Sequence, residues 1–228
     1  MAAESDQQLQ YASFWDAKYS QSDGSQPVHE WFRNFEQLEP FLTKYVFSVP
    51  GFKPNDNPLI LHAGSGDSTI PHDFYAKGYR KQLCVDFSQT VVNLMSKRHK
   101  PYEGIEWRLM DLRDMQGVED SSVDVIFDKG ALDAMVYGPM FSPPKEVKDN
   151  VQAYLKEAHR VLKPNGKFLW VGFRQPLQMQ YIWNLDELWK IEKRENMGEP
   201  GGLSYYGWVF SKVTTKSDGK SESPVSQA

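Results

Sequence analysis

The sequence predicts an α/β fold built on a mostly parallel sheet with an antiparallel hairpin at its C-terminal end. Between residues 59 and 173, short apolar runs alternate with amphipathic stretches of helical length, a pattern typical of repeated β-α-β units. A glycine-bearing loop joins the first apolar run to the first amphipathic stretch. Two more apolar runs near the C-terminus have no long helix between them, which favours a hairpin.

The segment 11–50 precedes this pattern and is predicted to be a helical extension. Residues 1–10 are polar, and we expect them to be flexible. Aromatic and apolar side chains then recur at helical spacing over 11–19 and again over 30–47. A stretch rich in Ser, Asp, Gly and Pro between these two segments indicates a turn.

Seven strands and three further helices are predicted in the rest of the chain. The strands are expected at residues 59–61, 83–85, 105–109, 123–127, 167–173, 188–193 and 205–212, and the helices at 68–77, 88–99 and 145–162. The sequence Lys163–Gly166 indicates a stop signal and a tight turn after the last helix. Residues 214–228 are mostly polar and are predicted to be a disordered tail, so that 11–213 forms a single domain.

The composition of the 228 residues excludes several classes of protein. With 40% hydrophobic residues the chain can form a core, and no apolar run reaches the roughly 18–20 residues of a membrane-spanning helix. A net charge of −4 argues against binding to nucleic acid. The single cysteine, Cys84, cannot form an internal disulfide, and the five histidines lack the spacing of a metal site. We therefore expect a monomeric, cytoplasmic protein without a bound metal, a membrane segment or a secretory signal.

The most informative local feature is the loop Leu61–Ser68, with the sequence LHAGSGDS, which follows the first predicted strand and opens a helix. Glycines are needed where the backbone approaches a ligand closely or takes a positive φ. Asp86 ends the second predicted strand, 20 residues after Gly66, where α/β sheets place an acid that accepts hydrogen bonds from a ribose. Asp111 follows the third predicted strand, where a carboxylate can accept from an adenine amino group.

Two nucleotide ligands compete for this arrangement. A dinucleotide fold requires a third glycine three positions after Gly66, but Thr69 occupies that position, which weakens the dinucleotide interpretation. A ribose acid and an adenine acid without a pyrophosphate cradle suit S-adenosylmethionine. The alternative without a ligand is that the glycines form an ordinary turn and that Asp86 and Asp111 cap helices.

Three further motifs carry a resemblance to a known family. They are FWDAKY at 14–19, EWF at 30–32 and FDKGALDA at 127–134. Together with the glycine loop and the two acids, they make the chain resemble class I S-adenosylmethionine-dependent methyltransferases. Within this class it is similar to the subgroup that contains the lysine methyltransferases of elongation factor 1-alpha and related methyltransferase-like proteins. The resemblance spans about residues 11–173 and implies a three-layer Rossmann-like fold with a seven-stranded sheet.

The resemblance also implies a set of cofactor contacts. Aromatic residues of the extension would cover S-adenosylmethionine, the glycine loop would lie under its amino-acid moiety, and residues at the strand ends would hold its ribose and adenine. The implied cofactor-binding residues are Trp15, Tyr19, Trp31, Gly64, Gly66, Asp86, Phe87, Asp111, Leu112 and Lys129. From the pattern alone, Trp15, Tyr19 and Trp31 suit a core better than a cover for the cofactor. Asp128 and Lys129 are candidates for a catalytic contribution, although Asp128 also suits a cap at the strand end.

The function expected from these features is N-methylation of a lysine in a protein, with elongation factor 1-alpha as the first candidate substrate. The alternative is N- or O-methylation of a small molecule or peptide. A non-catalytic binding protein of the same fold and a dehydrogenase are the remaining hypotheses. An apolar cleft would favour the neutral amine that must attack the methyl group. The aromatic residues available for its walls are Tyr137, Phe141, Phe173, Tyr181, Trp183, Tyr205, Tyr206 and Trp208.

Overall fold

Seven strands form one sheet in the computed structural model, which describes residues 6–23, 25, 27, 30–183, 188–198 and 202–213. The strands are β1 (Ile60–Ala63), β2 (Gln82–Asp86), β3 (Ile105–Leu109), β4 (Val123–Lys129), β5 (Leu162–Gly172), β6 (Trp189–Asn196) and β7 (Tyr206–Lys212). Their order in the sheet is β3-β2-β1-β4-β5-β7-β6. The strands from β1 to β5 pair in parallel, whereas β7 lies antiparallel between β5 and β6. The predicted mostly parallel sheet with a C-terminal hairpin is confirmed.

Helices cover both faces of this sheet. They are α1 (Ala12–Tyr19), α2 (Phe35–Leu42), α3 (Ile70–Ala76), α4 (Gln89–His99), α5 (Ala131–Ala134), α6 (Lys145–Val161) and α7 (Pro176–Gln180). Successive side chains of a strand point to opposite faces. In β5, Phe168 and Trp170 therefore pack in the cluster that contains α6, while Leu169 and Val171 pack in the cluster that contains α2 and α3. This alternation produces the three layers that the family resemblance implies.

The N-terminal extension differs from its prediction at both of its segments. Gln8–Gln10 form a 3-10 turn, Gln10 is buried, and the Trp15 indole donates to the Leu9 carbonyl at 2.7 Å. The predicted flexible N-terminus therefore does not extend to these residues, and residues 1–5 lie outside the described part of the chain, as does the predicted tail 214–228.

The second predicted helix, 30–47, begins only at Phe35. The Asn34 side chain accepts from the Gln37 backbone at 3.0 Å, and the Gln37 side chain accepts from the Asn34 backbone at 3.2 Å. This capping box fixes the first turn of α2 and leaves residues 30–34 outside the helix. After α2 the chain continues in a π-helical turn, Thr43–Phe47.

The predicted tight turn at Lys163–Gly166 is wrong. α6 ends at Val161, and β5 begins at the next residue. Residues 163–166 instead form an irregularity within β5, because the pairing of β4 with β5 shifts between Val123↔Leu162 and Val125↔Lys167. Within the described residues, no helix is both long enough and apolar enough to cross a membrane.

Candidate active site

The carboxyl ends of the parallel strands meet along one edge of the sheet and open into a cleft. Ala63 of β1 pairs with Val85 of β2 on one side and with Asp128 of β4 on the other. This register brings the glycine loop, the end of β2 and the end of β4 together, as expected for ligand sites in open α/β sheets. Each of the ten residues that the sequence predicts for cofactor binding lines this cleft: Trp15, Tyr19, Trp31, Gly64, Gly66, Asp86, Phe87, Asp111, Leu112 and Lys129.

The glycine loop is shaped by two residues with positive φ. Gly64 has φ 58° and Gly66 has φ 54°, values that side-chain-bearing residues adopt only with strain. A Cβ on Gly64 would lie 2.4 Å from the Ala131 Cβ, and a Cβ on Gly66 would lie 2.7 Å from the Tyr19 hydroxyl. The loop therefore needs glycine at both positions, and its backbone stays accessible to a ligand in the cleft.

Asp86 organises the loop from the end of β2. Its carboxylate accepts from the Gly66 N–H at 2.9 Å and from the Ser88 N–H at 2.9 Å. Burial raises the pKa of Asp86 to about 6, although hydrogen bonds from the backbone oppose the shift. Because an ionised carboxylate has about four acceptor positions, Asp86 keeps capacity for a further hydrogen bond from a ligand.

Asp111 is held more firmly than the sequence suggests. The Arg113 guanidinium lies 2.6 Å from its Oδ2, and the Arg113 backbone N–H donates to Oδ1 at 2.9 Å. Burial works against the charged form, but these hydrogen bonds from Arg113 lower the pKa of Asp111 below its usual value. Arg113 also donates to the Asn150 side chain at 3.0 Å. A guanidinium thus occupies part of the acceptor capacity that was predicted for adenine.

The aromatic residues of the extension line the cleft and pack in a core at the same time. Trp15 stacks on Tyr19 with ring centroids 5.8 Å apart and meets Trp31 edge-on at 6.0 Å. The buried residues of the same cluster are Trp15, Tyr19, Val91, Val92 and Met95. The core and cofactor interpretations of these aromatic residues are therefore compatible, since one face of the cluster meets α4 and another meets the cleft.

Two carboxylates attach the extension to the rest of the fold. Asp16 of α1 accepts from the Ser88 hydroxyl at 2.6 Å and from the Thr90 N–H at 3.0 Å, so it caps α4 from outside that helix. Glu30 accepts from the Lys129 ammonium at 2.5 Å and from the Ser68 hydroxyl at 2.9 Å. No functional role was predicted for Glu30 from the sequence, although its place in the EWF motif was the available signal.

Lys129 is committed to this attachment. Its side chain is 7% exposed, and its ammonium also donates to the Trp31 carbonyl at 3.0 Å. Burial lowers the pKa of Lys129 below its usual value, while the neighbouring Glu30 opposes that shift. The predicted catalytic contribution of Lys129 thus competes with a structural role, because both partners belong to the protein itself.

Asp128, the other catalytic candidate, does not line the cleft. Its buried carboxylate accepts from the Ala131 N–H at 2.9 Å, the Leu132 N–H at 3.1 Å and the Tyr154 hydroxyl at 2.9 Å. Burial raises the pKa of Asp128 to about 8. This geometry supports the alternative prediction of a cap at the strand end, since the carboxylate holds the start of α5.

Two further polar residues near the cleft have structural partners. Asp133 accepts from the Trp170 indole at 2.9 Å and from the Phe173 N–H at 3.0 Å, which fixes the end of β5. His62 lies 2.7 Å from the Gln82 side-chain oxygen through Nε2 and is buried beside aromatic rings. Burial lowers the pKa of His62 to about 4, as expected for a neutral core histidine.

Of the eight aromatic residues proposed for the acceptor walls, only Phe173 lines the cleft, so the assignment is wrong for Tyr137, Phe141, Tyr181, Tyr205 and Tyr206. Trp208 is buried and stacks on Trp170 with centroids 5.7 Å apart, and Trp183 packs edge-on against Trp208 at 5.0 Å. These two rings belong to the core, so their assignment to the cleft is wrong. Phe173, in contrast, is exposed and lines the cleft. The described residues contain no group of His, Cys, Asp and Glu side chains that could hold a metal ion.

Comparison with known proteins agrees with this geometry. Residues 61–170 match the model of a methyltransferase domain. EEF1A lysine methyltransferase 4 of Bos taurus is 30% identical over 181 residues, which cover 75% of this chain and 67% of that protein. The mitochondrial citrate synthase-lysine N-methyltransferase of Danio rerio is 26% identical over 218 residues, which cover 87% of this chain and 82% of that protein.

A solved structure shows the same fold. The N-methyltransferase NodS of Bradyrhizobium japonicum, crystallised with S-adenosyl-L-homocysteine, superposes with a TM-score of 0.60 at 13% identity over 89% of this chain and 98% of that chain. The match to the methyltransferase domain, the curated relatives and the cleft define a class I methyltransferase that uses S-adenosylmethionine. Within that class, the chain belongs to the subgroup of the elongation factor 1-alpha lysine methyltransferases.

Proposed function

We propose that this methyltransferase modifies the ε-amino group of a lysine in a protein, with elongation factor 1-alpha as the first candidate substrate. The relative from Bos taurus, at 30% identity, carries the proposal. A second relative is named for another protein, citrate synthase, and again for its lysine. The shared acceptor in these names is a lysine side chain. A cytoplasmic location and a monomeric state are part of the same proposal.

The proposed cofactor site fits S-adenosylmethionine on four observations. The bare backbone of the glycine loop can lie under the amino-acid moiety, and Asp86 has acceptor capacity for the ribose diol. Phe87 and Leu112 offer apolar surface at the neighbouring strand ends for adenine, beside Asp111. Acidic side chains outnumber basic ones among the residues that line the cleft, which suits a ligand with a sulfonium and an ammonium group.

The extension supplies the remaining part of the site. We assign Trp15, Tyr19 and Trp31 to the cover of the cofactor, because these residues of the N-terminal extension line the same cleft as the strand ends. Lys129 contributes by holding Trp31 in place through its carbonyl at 3.0 Å. When bound, S-adenosylmethionine supplies an activated methyl group, so the chain itself must orient the acceptor amine and exclude water.

The acceptor amine must be neutral before it can attack. A free lysine has a pKa of about 10.4, and an apolar environment lowers it by disfavouring the ammonium. Phe32 and Phe173 provide such a surface in the cleft. Asp128 is buried outside the cleft, and Lys129 is paired with Glu30. Desolvation and orientation of the amine are therefore the contributions that we assign to the chain.

A labelling experiment tests the proposal. The purified protein is incubated with tritiated S-adenosylmethionine and a lysate, and the labelled species is identified by mass spectrometry. Label on a lysine of one protein is the expected result, and label confined to the low-molecular-weight fraction would contradict it. The variant Gly64→Arg serves as the control, because a side chain at this position meets Ala131 at the base of the loop and should abolish transfer.

A further inference from the structure

A strained turn stands at the mouth of the cleft. Phe32 has φ 60°, and the Arg33 N–H donates to the Trp31 carbonyl at 2.7 Å, which closes a three-residue turn around Phe32. Left-handed backbone costs a residue with a side chain about 1–2 kcal/mol. Such a turn persists only where the surrounding structure holds it, and it is found preferentially at functional sites.

The neighbouring contacts hold this turn in place. The Trp31 carbonyl also accepts from the Lys129 ammonium at 3.0 Å, and the Arg33 guanidinium donates to the Met197 carbonyl at 2.5 Å. The Phe32 ring lies against Gly130, where a Cβ would approach it to 2.9 Å. Ala131 follows Gly130 and lies against Gly64, and Phe32 lines the same cleft as the glycine loop.

Phe32 is the centre of a small aromatic wall, which we define as Phe32, Phe173 and Tyr205. The Phe32 ring centroid lies 5.6 Å from that of Phe173 and 5.7 Å from that of Tyr205. None of these residues belongs to the three hydrophobic clusters of the core. Phe32 and Phe173 line the cleft, and Phe173 is 42% exposed, whereas Tyr205 does not line it. The Arg33 guanidinium lies 4.7 Å from the Tyr205 ring centroid, and the Arg174 guanidinium lies 4.8 Å from that of Phe173. Among the described residues, this leaves Phe32 as the ring of the wall that faces the cleft without an arginine over it. The strained turn therefore presents an aromatic ring to the cleft rather than to the interior.

We infer that the aromatic wall receives the acceptor lysine side chain and that Phe32 is its specificity-determining residue. This inference rests on the proposed function. Aromatic faces bury the methylene groups of an unbranched amine and disfavour its hydrated ammonium form. They also attract the methylated ammonium that the reaction produces, since cations with little hydration bind well to aromatic faces. Phe32 accordingly favours binding of the methylated side chain over that of the unmethylated ammonium.

A binding experiment tests this inference independently of the protein substrate. The complex with S-adenosylhomocysteine is titrated with the Nα-acetyl methylamide of trimethyllysine, and binding is followed by NMR. For Phe32→Ala we expect about tenfold weaker binding of this probe, in line with one lost cation–π contact, while the affinity for S-adenosylhomocysteine changes by less than about threefold. Phe32→Leu, which keeps apolar volume, should bind the probe with intermediate affinity.

Tyr75→Ala is the matched control, because Tyr75 is a half-buried ring that packs on Tyr102, 5.2 Å away, and does not line the cleft. It should bind the probe like the wild type. Equal binding of the probe by wild type and Phe32→Ala, or no saturable binding by wild type, would overturn the inference. Failure of the proposed function shows separately, as absence of label on any protein in the lysate experiment.

Discussion

The ion pair between Glu30 and Lys129 gives the sharpest test of how the extension is fixed over the cleft. The Lys129 side chain is 7% exposed and that of Glu30 is 21% exposed, with 2.5 Å between Nζ and Oε1. Replacing Lys129 by methionine keeps most of the apolar part of the side chain but leaves the Glu30 carboxylate without its cation. Breaking a buried pair in this way costs about 3–5 kcal/mol.

The partial exposure of Glu30 places the expected loss at the lower end of that range. Glu30 also keeps the Ser68 hydroxyl at 2.9 Å as a donor, which moderates the loss further. We therefore expect Lys129→Met to lower the free energy of unfolding by about 3 kcal/mol. For a domain of this size that corresponds to roughly 6–12 °C in Tm. Urea and thermal unfolding, followed by circular dichroism, measure both quantities.

A double variant separates the lost pair from the lost side chain. Lys129→Met combined with Glu30→Gln removes both charges, so it should recover most of the stability that the single variant loses. Lys145→Met is the control, because Lys145 forms an exposed pair with Asp149 on α6 and should change the stability little. The reasoning is refuted if Lys129→Met unfolds like the wild type, or if the double variant is no more stable than the single one.

Three further predictions follow from buried titratable groups. Asp86→Ala should weaken S-adenosylhomocysteine binding about 100-fold, as measured by calorimetry. The affinity of the wild type should fall as the pH drops through about 6, because burial raises the pKa of Asp86 to about 6. An affinity unchanged by the substitution or by the pH would contradict the corresponding prediction. Asp128→Asn should keep methyl transfer. Because burial raises the pKa of Asp128 to about 8, urea unfolding should show the stability of wild type relative to this variant falling as the pH rises from about 4 to about 8. A difference in stability that stays constant over this range would oppose the prediction. Burial lowers the pKa of His62 to about 4, so the wild type should lose stability as the pH falls from about 6.5 to 4. In thermal scans over this range His62→Gln should lose less stability than the wild type. Equal losses in the two proteins would count against the prediction.

The strands β1, β2, β4 and β7 could be predicted from the sequence because each contains a short apolar run that the fold buries, whereas the edge strands β3 and β6 are mostly exposed or half-buried. The helices α5 and α7 were missed, since four and five residues are too few to show a helical period. The start of α2 was missed for a different reason. The aromatic periodicity over 30–47 suggested one long helix, although the capping pair Asn34 and Gln37 was visible in the sequence as N-x-x-Q.

The candidate site was predictable where it depends on strand ends and not where it depends on long-range partners. Register alone brings the glycine loop and Asp86 together. No local pattern shows that Glu30 binds Lys129, which is 99 residues away in the chain. This pair forms only when separate elements pack, so the spacing of residues in the sequence does not reveal it. Arg113, in contrast, lies two residues after Asp111, and its pairing was a local possibility that was not predicted from the sequence.

The most direct test of the account is a crystal structure of the complex with S-adenosylhomocysteine. The account predicts ribose hydroxyl groups within hydrogen-bond distance of the Asp86 carboxylate and an amino-acid moiety lying on Gly64 and Gly66. Electron density for the nucleoside outside this cleft, or a ribose beyond hydrogen-bond distance of Asp86, would contradict it.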